Sequence, residues 1–340
     1  MNRIAVLGAG SWGTALAVHL GRAGREVRLW ARDEQLVEQM TRTRTNPRYL
    51  IDVPLPANVT PTSSLGAAVD GAGFVIVAVP SHGLRGVMHV AAPFVSPSAV
   101  LVSATKGLEP VTLDRMSQVI SEETGARLPV VVLSGPSFAA EVARELPTAI
   151  LAASADEAAA ARVQEQFRGR GLRLYVSDDV PGVEIGGALK NVIAIAAGVV
   201  EGLGLGHNAT AALITRGLAE ITRLACAQGG RRGTLAGLSG LGDLVLTCTG
   251  ALSRNRHVGF ELGRGRTLDD ILGSTRMVAE GVRTTGATVA LGARHGIEVP
   301  IAAQMSAVLE GQRSPREAVE SLMGRRPRAE VDDERLKFEG

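Results

Sequence analysis

Short apolar runs alternate with helical patterns along the first half of the chain. Each run is four to six residues long and is mostly β-branched or otherwise apolar, as expected for strands that are covered on both faces. Strands that alternate with helices in this way are typical of parallel βαβ units. The pattern predicts strands at residues 3–7, 26–30, 74–79, 99–103, 130–133, 149–153 and 173–176.

After about residue 181 the strand-like runs give way to long segments rich in Ala, Leu and Gly, with apolar residues at helical spacing. This change predicts two domains, an α/β domain at residues 1–180 and an all-α domain at 181–324. The mixed-charge segment 325–340 is expected to be a flexible, solvated tail. Helices are predicted within residues 183–201, 209–228, 268–271, 284–295 and 301–309.

Composition excludes several classes of protein. A chain of 340 residues is long enough for two domains, and 45% hydrophobic with 21% charged residues is close to the globular average. The net charge is only +2, so the chain lacks the large basic excess that favours nucleic-acid binding. We therefore expect no nucleic-acid partner.

The apolar start of the chain resembles a signal peptide. Glycines interrupt it from position 8, however, and Arg22 follows too soon for a membrane span of ~20 residues. The apolar stretch at 192–200 is also too short to cross a bilayer. Cys226 and Cys248 form no C-x-x-C pair, which fits a reducing compartment. These features predict a cytoplasmic protein with no membrane span.

The first motif with chemistry is GAGSWG at residues 8–13, which follows a predicted strand directly and opens a helical pattern. In this context G-x-G-x-x-G is a dinucleotide-binding fingerprint. Gly8 permits a tight turn, Gly10 lets the backbone approach the pyrophosphate, and Gly13 lets the helix pack on the strand. The motif predicts a doubly wound, mostly parallel Rossmann domain. A purely structural glycine-rich turn is the alternative.

The end of the second predicted strand indicates which dinucleotide binds. An acidic residue ~20 residues after the fingerprint holds the ribose 2′-hydroxyl of NADH, whereas an arginine accommodates the 2′-phosphate of NADPH. Arg32 stands at this position, and Asp33 follows one residue later. We therefore predict that NADPH is preferred and that NADH can also be used. An Arg32 paired only with Asp33 or Glu34 is the alternative.

Loops after two neighbouring strands carry polar residues. Lys106 follows the strand at 99–103, and Gly135 and Ser137 follow the strand at 130–133. Because the carboxyl ends of parallel strands frame the ligand crevice of an open sheet, we expect these three residues to converge near the cofactor. Lys106 offers a cation to an anionic substrate, and Ser137 offers a hydroxyl. Ordinary loop chemistry is the alternative for each residue taken singly.

Lysine occurs only at positions 106, 190 and 337, because arginine fills every other basic position. Arginine stays protonated, whereas a buried lysine can lose its proton and act as a general base. Lys190 and Asn191 interrupt an apolar helical segment, so desolvation is expected to lower the pKa of Lys190. We predict an acid–base role for Lys190. A lysine that snorkels to the surface is the alternative.

Asp243 lies between a glycine-rich turn and an apolar run, where it can orient a neighbouring base or accept a substrate hydroxyl. Ser253, Arg254 and Asn255 form a candidate phosphate cradle, since arginine supplies a fork of donors and the other two add neutral ones. A helix start capped by Ser253 is the alternative, and the two roles are compatible. The six histidines show no metal-ligand spacing, so no metal site is predicted.

Taken in order, these segments resemble the soluble bacterial NAD(P)-dependent glycerol-3-phosphate dehydrogenases over nearly the whole chain, to about residue 322. A set of ordered motifs is far more specific than one glycine loop. The matching motifs are GAGSWGTALA at 8–17, VPSH at 79–82, ATKG at 104–107, SGPSFA at 134–139, LKNV at 189–192, GLGDL at 240–244, SRNR at 253–256 and AEG at 279–281.

The resemblance implies reversible NAD(P)H-dependent reduction of dihydroxyacetone phosphate to sn-glycerol 3-phosphate, which supplies the backbone of phospholipids. It also implies NADPH in a cleft between an N-terminal Rossmann domain and a C-terminal helical domain, and it allows for a homodimer. By matching position, the catalytic residues are Lys190, as proton donor and acceptor, Asp243, which would orient it, and Lys106.

The other site residues follow from the resemblance in the same way. Substrate contacts fall on Lys106, Gly135, Ser137, Lys190, Asp243, Ser253, Arg254 and Asn255. Cofactor contacts, the loop glycines included, fall on Gly8, Gly10, Ser11, Trp12, Gly13, Arg32, Tyr49, Lys106, Ala139, Arg254, Val278 and Glu280.

Two other classes of function remain open from the residues. A related dehydrogenase of another small hydroxy acid would share the glycine loop and the Lys190–Asn191 pair, but it would not need a phosphate cradle. A non-catalytic NADPH-binding sensor would keep the first domain and turn over no substrate. The presence of Lys190 and Asp243 together argues against the sensor.

Overall fold

A computed structural model describes residues 3–273 and 279–326 of the chain. Val278 and the segment 327–340 of the predicted tail lie outside these residues. The described strands are β1 (Arg3–Leu7), β2 (Val27–Trp30), β3 (Thr45–Asn46), β4 (Leu50–Pro54), β5 (Val59–Thr62), β6 (Ala72–Val77), β7 (Val100–Ser103), β8 (Val130–Ser134), β9 (Thr148–Ala153) and β10 (Leu172–Ser177).

Helices fill the connections between strands and then the whole second half. A 3₁₀ turn at Ala92–Phe94 and a π-helical turn at Leu238–Gly242 accompany them. The described α-helices are α1 (Ser11–Arg22), α2 (Glu34–Thr43), α3 (Leu65–Val69), α4 (Ser81–Ala91), α5 (Met116–Glu123), α6 (Ala139–Ala143), α7 (Glu157–Gln166), α8 (Val180–Gly202), α9 (Gly206–Ala227), α10 (Arg232–Leu235), α11 (Asp243–Thr249), α12 (Arg254–Gly263), α13 (Leu268–Gly273), α14 (Glu280–His295), α15 (Pro300–Leu309) and α16 (Pro315–Met323).

Eight strands form one sheet in the order β10-β9-β8-β7-β6-β1-β2-β5. All of its pairs are parallel except β8 with β9. The order reverses direction at β1, and this confirms the predicted doubly wound, mostly parallel fold. All seven predicted strands are present within two residues of their predicted ends. The sheet also contains β5, which the sequence pattern did not predict.

Alternate residues of the central strand β1 enter two apolar layers on opposite faces of the sheet. Ile4 and Val6 belong to the layer shared with α1, α2 and α7. Ala5 and Leu7 belong to the layer shared with α4 and α5. Because both faces are covered, every one of these positions must be apolar, which explains the continuous hydrophobic runs in the sequence.

The second half is built around α8, which is buried along almost its entire length. Glycines at the crossing with α12 allow the two backbones to touch. A Cβ on Gly198 would lie 1.9 Å from the Arg256 carbonyl oxygen, and one on Gly259 would lie 1.8 Å from that of Ile195. The helices packed on α8 confirm the predicted all-α architecture. The predicted division at residue 180 falls on the first residue of α8.

Length and apolar composition would allow α8 to cross a bilayer, and the same holds for the bent arrangement of α10 to α12 among the described helices. The apolar window of α8 is, however, wholly buried inside the protein. Its hydrophobic residues therefore face neighbouring helices and the sheet, as in the central helix of a packed domain.

A buried ion pair ties α8 to the sheet domain. The Glu184 carboxylate accepts hydrogen bonds from the Ser117 backbone N–H at 2.8 Å and from the Ser117 hydroxyl at 2.5 Å. The Arg115 guanidinium donates to the same carboxylate at 2.6 Å. Because Glu184 lies six residues before Lys190, this contact fixes the part of α8 that leads into the candidate site.

Candidate active site

The glycine-rich loop (residues 8–13) has the conformation that a dinucleotide site requires. Gly8 has φ of +119°, and a Cβ there would lie 2.6 Å from the Ala78 carbonyl oxygen. A Cβ on Gly13 would lie 1.9 Å from the Gly8 carbonyl oxygen, whereas one on Gly10 would meet nothing within 4 Å. Close packing therefore requires glycine at positions 8 and 13, while the space beside Gly10 is open to a ligand.

The loop leads directly into α1, whose first residues are Ser11 and Trp12. Its first backbone N–H groups have no partner within the helix, so they can donate to phosphate oxygens. No acidic side chain lies in this first turn to compete with a phosphate. The fit of backbone, open space and helix N-terminus supports binding of a dinucleotide here.

Arg32 is exposed at the end of β2 and forms no hydrogen bond or ion pair within residues 3–273 and 279–326. Its neighbour Asp33 is engaged elsewhere. Asp33 caps α2 by accepting a bond from the Leu36 N–H at 3.1 Å, and it also pairs with Arg48. These contacts lower the pKa of Asp33. The alternative in which Arg32 pairs only with Asp33 or Glu34 is therefore wrong.

Three of the other predicted cofactor residues lie along the same side of the sheet domain. Trp12, Tyr49 and Ala139 are each half-buried and pack against the apolar layer that contains α1. Ala139 is the first residue of α6, a helix that contacts α1. The glycine-rich loop, α6 and the segment around Tyr49 thus all pack around α1.

Glu280 reaches across the cleft from the helical half. It is the first residue of α14, and its carboxylate accepts bonds from the Ser81 hydroxyl at 2.8 Å and the Ser81 N–H at 3.3 Å. Ser81 begins α4 in the sheet domain, where the N-terminal end of the helix dipole favours a carboxylate. This contact joins the two halves beside the predicted cofactor site.

The lysine cluster (Lys106, Lys190 and Asp243) brings together residues from three separate segments. Lys106 follows β7, Lys190 lies within α8, and Asp243 is the first residue of α11. The Asp243 carboxylate accepts a bond from the Lys106 ammonium group at 2.6 Å through Oδ2, and one from Lys190 through Oδ1. Asp243 is only 1% exposed. One buried carboxylate therefore holds both lysine side chains.

The Lys190 side chain is buried, so the snorkelling alternative is wrong. Burial lowers the pKa of Lys190 to about 7, against the opposing attraction of the Asp243 carboxylate. The Lys190 ammonium group also donates to the Thr247 hydroxyl at 2.8 Å. The Thr247 hydroxyl in turn donates to the Asp243 carbonyl oxygen at 2.6 Å. Asp243 and Thr247 engage two of the three N–H directions of Lys190, which leaves the third for a substrate oxygen.

Cys248 is buried in the helix that begins with Asp243. Burial raises the pKa of its thiol to about 12. The thiol therefore stays protonated at neutral pH and cannot act as a nucleophile, since the thiolate is the reactive form. Lys190 rather than Cys248 is therefore the group beside Asp243 that can exchange a proton near pH 7.

The structure brings Gly135 and Ser137 together with Lys106, and their predicted place near the cofactor stays a prediction. The Gly135 carbonyl oxygen accepts bonds from the Lys106 ammonium group at 3.2 Å and the Ser137 hydroxyl at 3.0 Å. Gly135 has φ of +138°, and a Cβ there would lie 3.0 Å from the Ile150 Cα. The turn after β8 therefore needs glycine, and it places its carbonyl beside the lysine cluster.

Two of the three residues at 253–255 already form hydrogen bonds within the protein. Ser253 caps α12 by accepting a bond from the Arg256 N–H at 3.2 Å, so the predicted capping alternative is present. Asn255 donates to Asn191 Oδ1 at 2.9 Å and accepts from the Gly281 N–H at 2.9 Å.

Arg254 is exposed as a residue and forms no hydrogen bond or ion pair within the described residues. Its guanidinium is nevertheless partly desolvated, which lowers its pKa, and the Glu280 carboxylate attracts it. An anion that binds Arg254 would therefore lie near Glu280.

Sequence reasoning missed Thr247, Ser81 and Glu184, each of which supports a predicted site residue. Thr247 carried a signal, because it lies four residues after Asp243 and therefore on the same helix face. Ser81 lies in the matching VPSH motif at 79–82, but nothing local indicated its contact with Glu280. Glu184 carried no signal, since its partners Arg115 and Ser117 are distant in sequence. Within the part of the chain that the structure describes, no group of three or more His, Cys, Asp or Glu side chains could hold a metal ion.

Comparison with protein families matches both halves of the chain. Residues 3–160 match the N-terminal model of NAD-dependent glycerol-3-phosphate dehydrogenase, and residues 179–320 match its C-terminal model. Among curated relatives, the glycerol-3-phosphate dehydrogenase [NAD(P)+] of Koribacter versatilis is 54% identical over 335 residues, covering 97% of this chain and 99% of the relative. That of Acidobacterium capsulatum is 55% identical, covering 97% and 100%.

Solved structures give the same result. The crystal structure of glycerol-3-phosphate dehydrogenase from Coxiella burnetii superposes with a TM-score of 0.92 and is 41% identical in sequence. The match covers 95% of this chain and 99% of the other. The likeness therefore extends through both halves of the chain.

Proposed function

The chain belongs to the NAD-dependent glycerol-3-phosphate dehydrogenase family, and on that premise we propose that Lys190 is its proton donor and acceptor. The protein is an NAD(P)-dependent oxidoreductase that reduces dihydroxyacetone phosphate to glycerol 3-phosphate. The observation that carries the residue assignment is the buried Asp243 carboxylate, which holds Lys190 and Lys106 together at the cleft.

Lys190 supplies the proton in reduction. Its pKa of about 7 leaves both the ammonium and the amine populated at neutral pH, which suits a group that must give and take a proton. Asp243 and Thr247 orient Nζ through two hydrogen bonds, so the remaining N–H points at the substrate oxygen. In the reverse direction the neutral amine accepts the hydroxyl proton of glycerol 3-phosphate.

The sheet domain holds the dinucleotide. When bound, the reduced nicotinamide supplies the hydride that the carbonyl carbon receives. The glycine-rich loop and the α1 N-terminus would hold the pyrophosphate, and the exposed Arg32 would hold the 2′-phosphate. Arg32 supports a preference for NADPH within a family that uses either NAD or NADP. Tyr49, Ala139 and Glu280 would line the remaining length of the nucleotide.

Positive charge at the cleft suits a phosphorylated substrate. Arg254 is exposed at the N-terminus of α12, where its fork of donors and the helix end both favour a phosphate. Lys106 adds a second cation, and its contact with Asp243 keeps it beside Lys190. The Asn255 amide has a second N–H besides the one donated to Asn191. The Ser137 hydroxyl would exchange its bond to the Gly135 carbonyl oxygen for one to the substrate. We assign the phosphate to Arg254 and the carbonyl end to Lys106 and Lys190.

We also propose a cytoplasmic location. Both cysteines, Cys226 and Cys248, are free thiols, which supports a reducing compartment. A homodimer is a further proposal for this chain, and analytical ultracentrifugation of the purified protein at several concentrations measures it directly.

One assay tests the function. NADPH absorbance is followed with purified protein and dihydroxyacetone phosphate, and again with unphosphorylated dihydroxyacetone. Rapid oxidation with the phosphorylated substrate alone is expected. If NADPH is instead oxidised only with a keto acid, which is reduced to another small hydroxy acid, the related dehydrogenase is favoured. NADPH binding without turnover of any substrate would favour the sensor.

A further inference from the structure

We infer that Asn46 is a positioning residue for the dinucleotide, because its buried amide locks the segment that carries Tyr49 onto the glycine-rich loop. The inference rests on the proposed function, in which that loop and Tyr49 hold the cofactor. Asn46 ends the two-residue strand β3 and is fully buried. Neither the fingerprint nor the resemblance assigned it a role.

The Asn46 amide makes four hydrogen bonds. Its Nδ2 group donates to the Ala9 carbonyl oxygen at 2.9 Å and to the Thr14 hydroxyl at 2.8 Å. Its Oδ1 atom accepts from the Arg48 N–H at 3.2 Å and the Tyr49 N–H at 3.1 Å. A primary amide has two N–H donors and two acceptor lone pairs, so its capacity is fully used.

This saturation makes the side chain specific to asparagine. Aspartate would present an acceptor oxygen to the Ala9 carbonyl, and an apolar residue would leave buried N–H and C=O groups without partners. Only a side chain with two donors on one side and an acceptor on the other satisfies all four neighbours. The pattern is therefore more than a generic buried contact.

The bonded groups lie at the predicted nucleotide site. Ala9 is within the glycine-rich loop between Gly8 and Gly10, and Thr14 is in the first turns of α1. On the other side, the bonds fix the backbone that positions Arg48 beside Asp33 and Tyr49 beside α1. Asn46 thus sets the distance between the loop and the segment at 46–49.

Substitution of Asn46 should change the affinity for the nucleotide and leave the rate of the chemical step unchanged. The lysine cluster comes from the loop after β7, from α8 and from α11. None of its hydrogen bonds involves Asn46. Loosening the 46–49 segment should therefore weaken NADPH without altering proton transfer from Lys190.

Asn58 provides a matched control. Its Nδ2 group donates to the Gly21 carbonyl oxygen at 2.9 Å and the Arg25 carbonyl oxygen at 2.8 Å. Asn58 is half-buried and, like Asn46, makes two donor bonds, but both go to carbonyl oxygens at the opposite end of α1. A substitution there tests loss of an amide anchor in the same domain, away from the glycine-rich loop.

The experiment compares full-length wild type with Asn46→Ala and Asn58→Ala. The dissociation constant of NADPH is measured by calorimetry, and kcat and the KM for dihydroxyacetone phosphate are measured at saturating NADPH. Asn46→Ala should raise the dissociation constant about tenfold or more, with kcat and that KM changed by less than about twofold. Asn58→Ala should lower the melting temperature and leave the dissociation constant within about twofold.

Two outcomes overturn the inference: an unchanged dissociation constant in folded Asn46→Ala, or an equal rise in Asn58→Ala. If Asn46→Ala does not fold, the variants Thr14→Val and Thr14→Ser test the inference instead. The valine removes one acceptor of the Asn46 amide and should weaken NADPH about threefold or more, whereas the serine keeps the hydroxyl and should not. Equal affinities in this pair overturn the inference. Failure of wild type to bind NADPH would instead defeat the proposed function, and the inference with it.

Discussion

The glycine-rich loop presents backbone donors and open space to its ligand, whereas the lysine cluster presents buried charge. In the loop, Gly8 and Gly13 are needed for close packing and Gly10 faces empty space. In the cluster, Asp243 is almost fully buried between two ammonium groups. The two regions therefore use different physical means to hold a ligand.

Because of this difference, the loop is suited to phosphate binding and the lysine cluster to proton exchange. Backbone N–H groups and exposed arginine side chains bind phosphate without any change in protonation. A group that must exchange a proton near neutrality needs a shifted pKa, and for lysine that requires burial. Substitutions near the loop should therefore change cofactor affinity, and those in the cluster should change turnover.

The largest effect is expected for Lys190→Met. Removing the acid–base group should lower kcat ~10²-fold or more, while the NADPH dissociation constant stays within about twofold. Lys190→Arg sharpens the comparison, because it keeps the positive charge but cannot release its proton, and it should be nearly as inactive. Steady-state kinetics and calorimetry measure both. A matching loss of NADPH affinity in Lys190→Met would mean that this lysine is structural.

Asp243→Asn should lower kcat for reduction at pH 7 about ten- to a hundredfold. Attraction by the Asp243 carboxylate raises the pKa of Lys190, so removing that charge lowers the pKa and depletes the protonated donor at neutral pH. The loss should shrink at lower pH, where the donor is reprotonated. A loss that is constant between pH 6 and 9 would contradict an electrostatic role for Asp243.

Arg254→Ala should raise the KM for dihydroxyacetone phosphate about tenfold to a hundredfold, as expected for loss of a charge-assisted contact to phosphate. The kcat at saturating dihydroxyacetone phosphate serves as the control and should change by less than about twofold. An unaltered KM for the phosphorylated substrate would remove Arg254 from the phosphate site.

Arg32→Ala should weaken NADPH about tenfold and NADH less than about twofold, because only NADPH has the 2′-phosphate. The effect is smaller than for Arg254, because the Arg254 guanidinium is partly desolvated by its surroundings, whereas Arg32 is exposed and solvent screens its charge. The ratio of the two dissociation constants is the measurement. Equal losses for both nucleotides would defeat the 2′-phosphate assignment.

The fold was largely predictable because its rules are local. Buried parallel strands leave continuous apolar runs, and the fingerprint lies at a strand end followed by a helix. The missed strands lack such signals. β3 has two residues, and β5 at the sheet edge contains Pro61 among polar neighbours, which is tolerated only at an edge or bulge.

The site was predictable only in part, because its supporting contacts join residues far apart in the chain. The scarcity of lysine drew attention to Lys190, but nothing local connects Glu280 with Ser81, 199 residues away. The same holds for Glu184 with Ser117, at a separation of 67. Such pairs exist only after the two halves have packed together.

The pH dependence of the wild-type enzyme in both directions tests the role of Lys190 most directly. With a pKa of about 7 for Lys190 in the unliganded protein, kcat/KM for reduction should fall as the pH rises through about 7, since the ammonium is the donor. The kcat/KM for glycerol 3-phosphate oxidation should rise over the same interval, since the amine is the acceptor. Opposite limbs with a shared midpoint near 7 are predicted. Limbs that run in the same direction, or a midpoint near the ordinary lysine value of 10.5, would contradict Lys190 as the proton donor and acceptor.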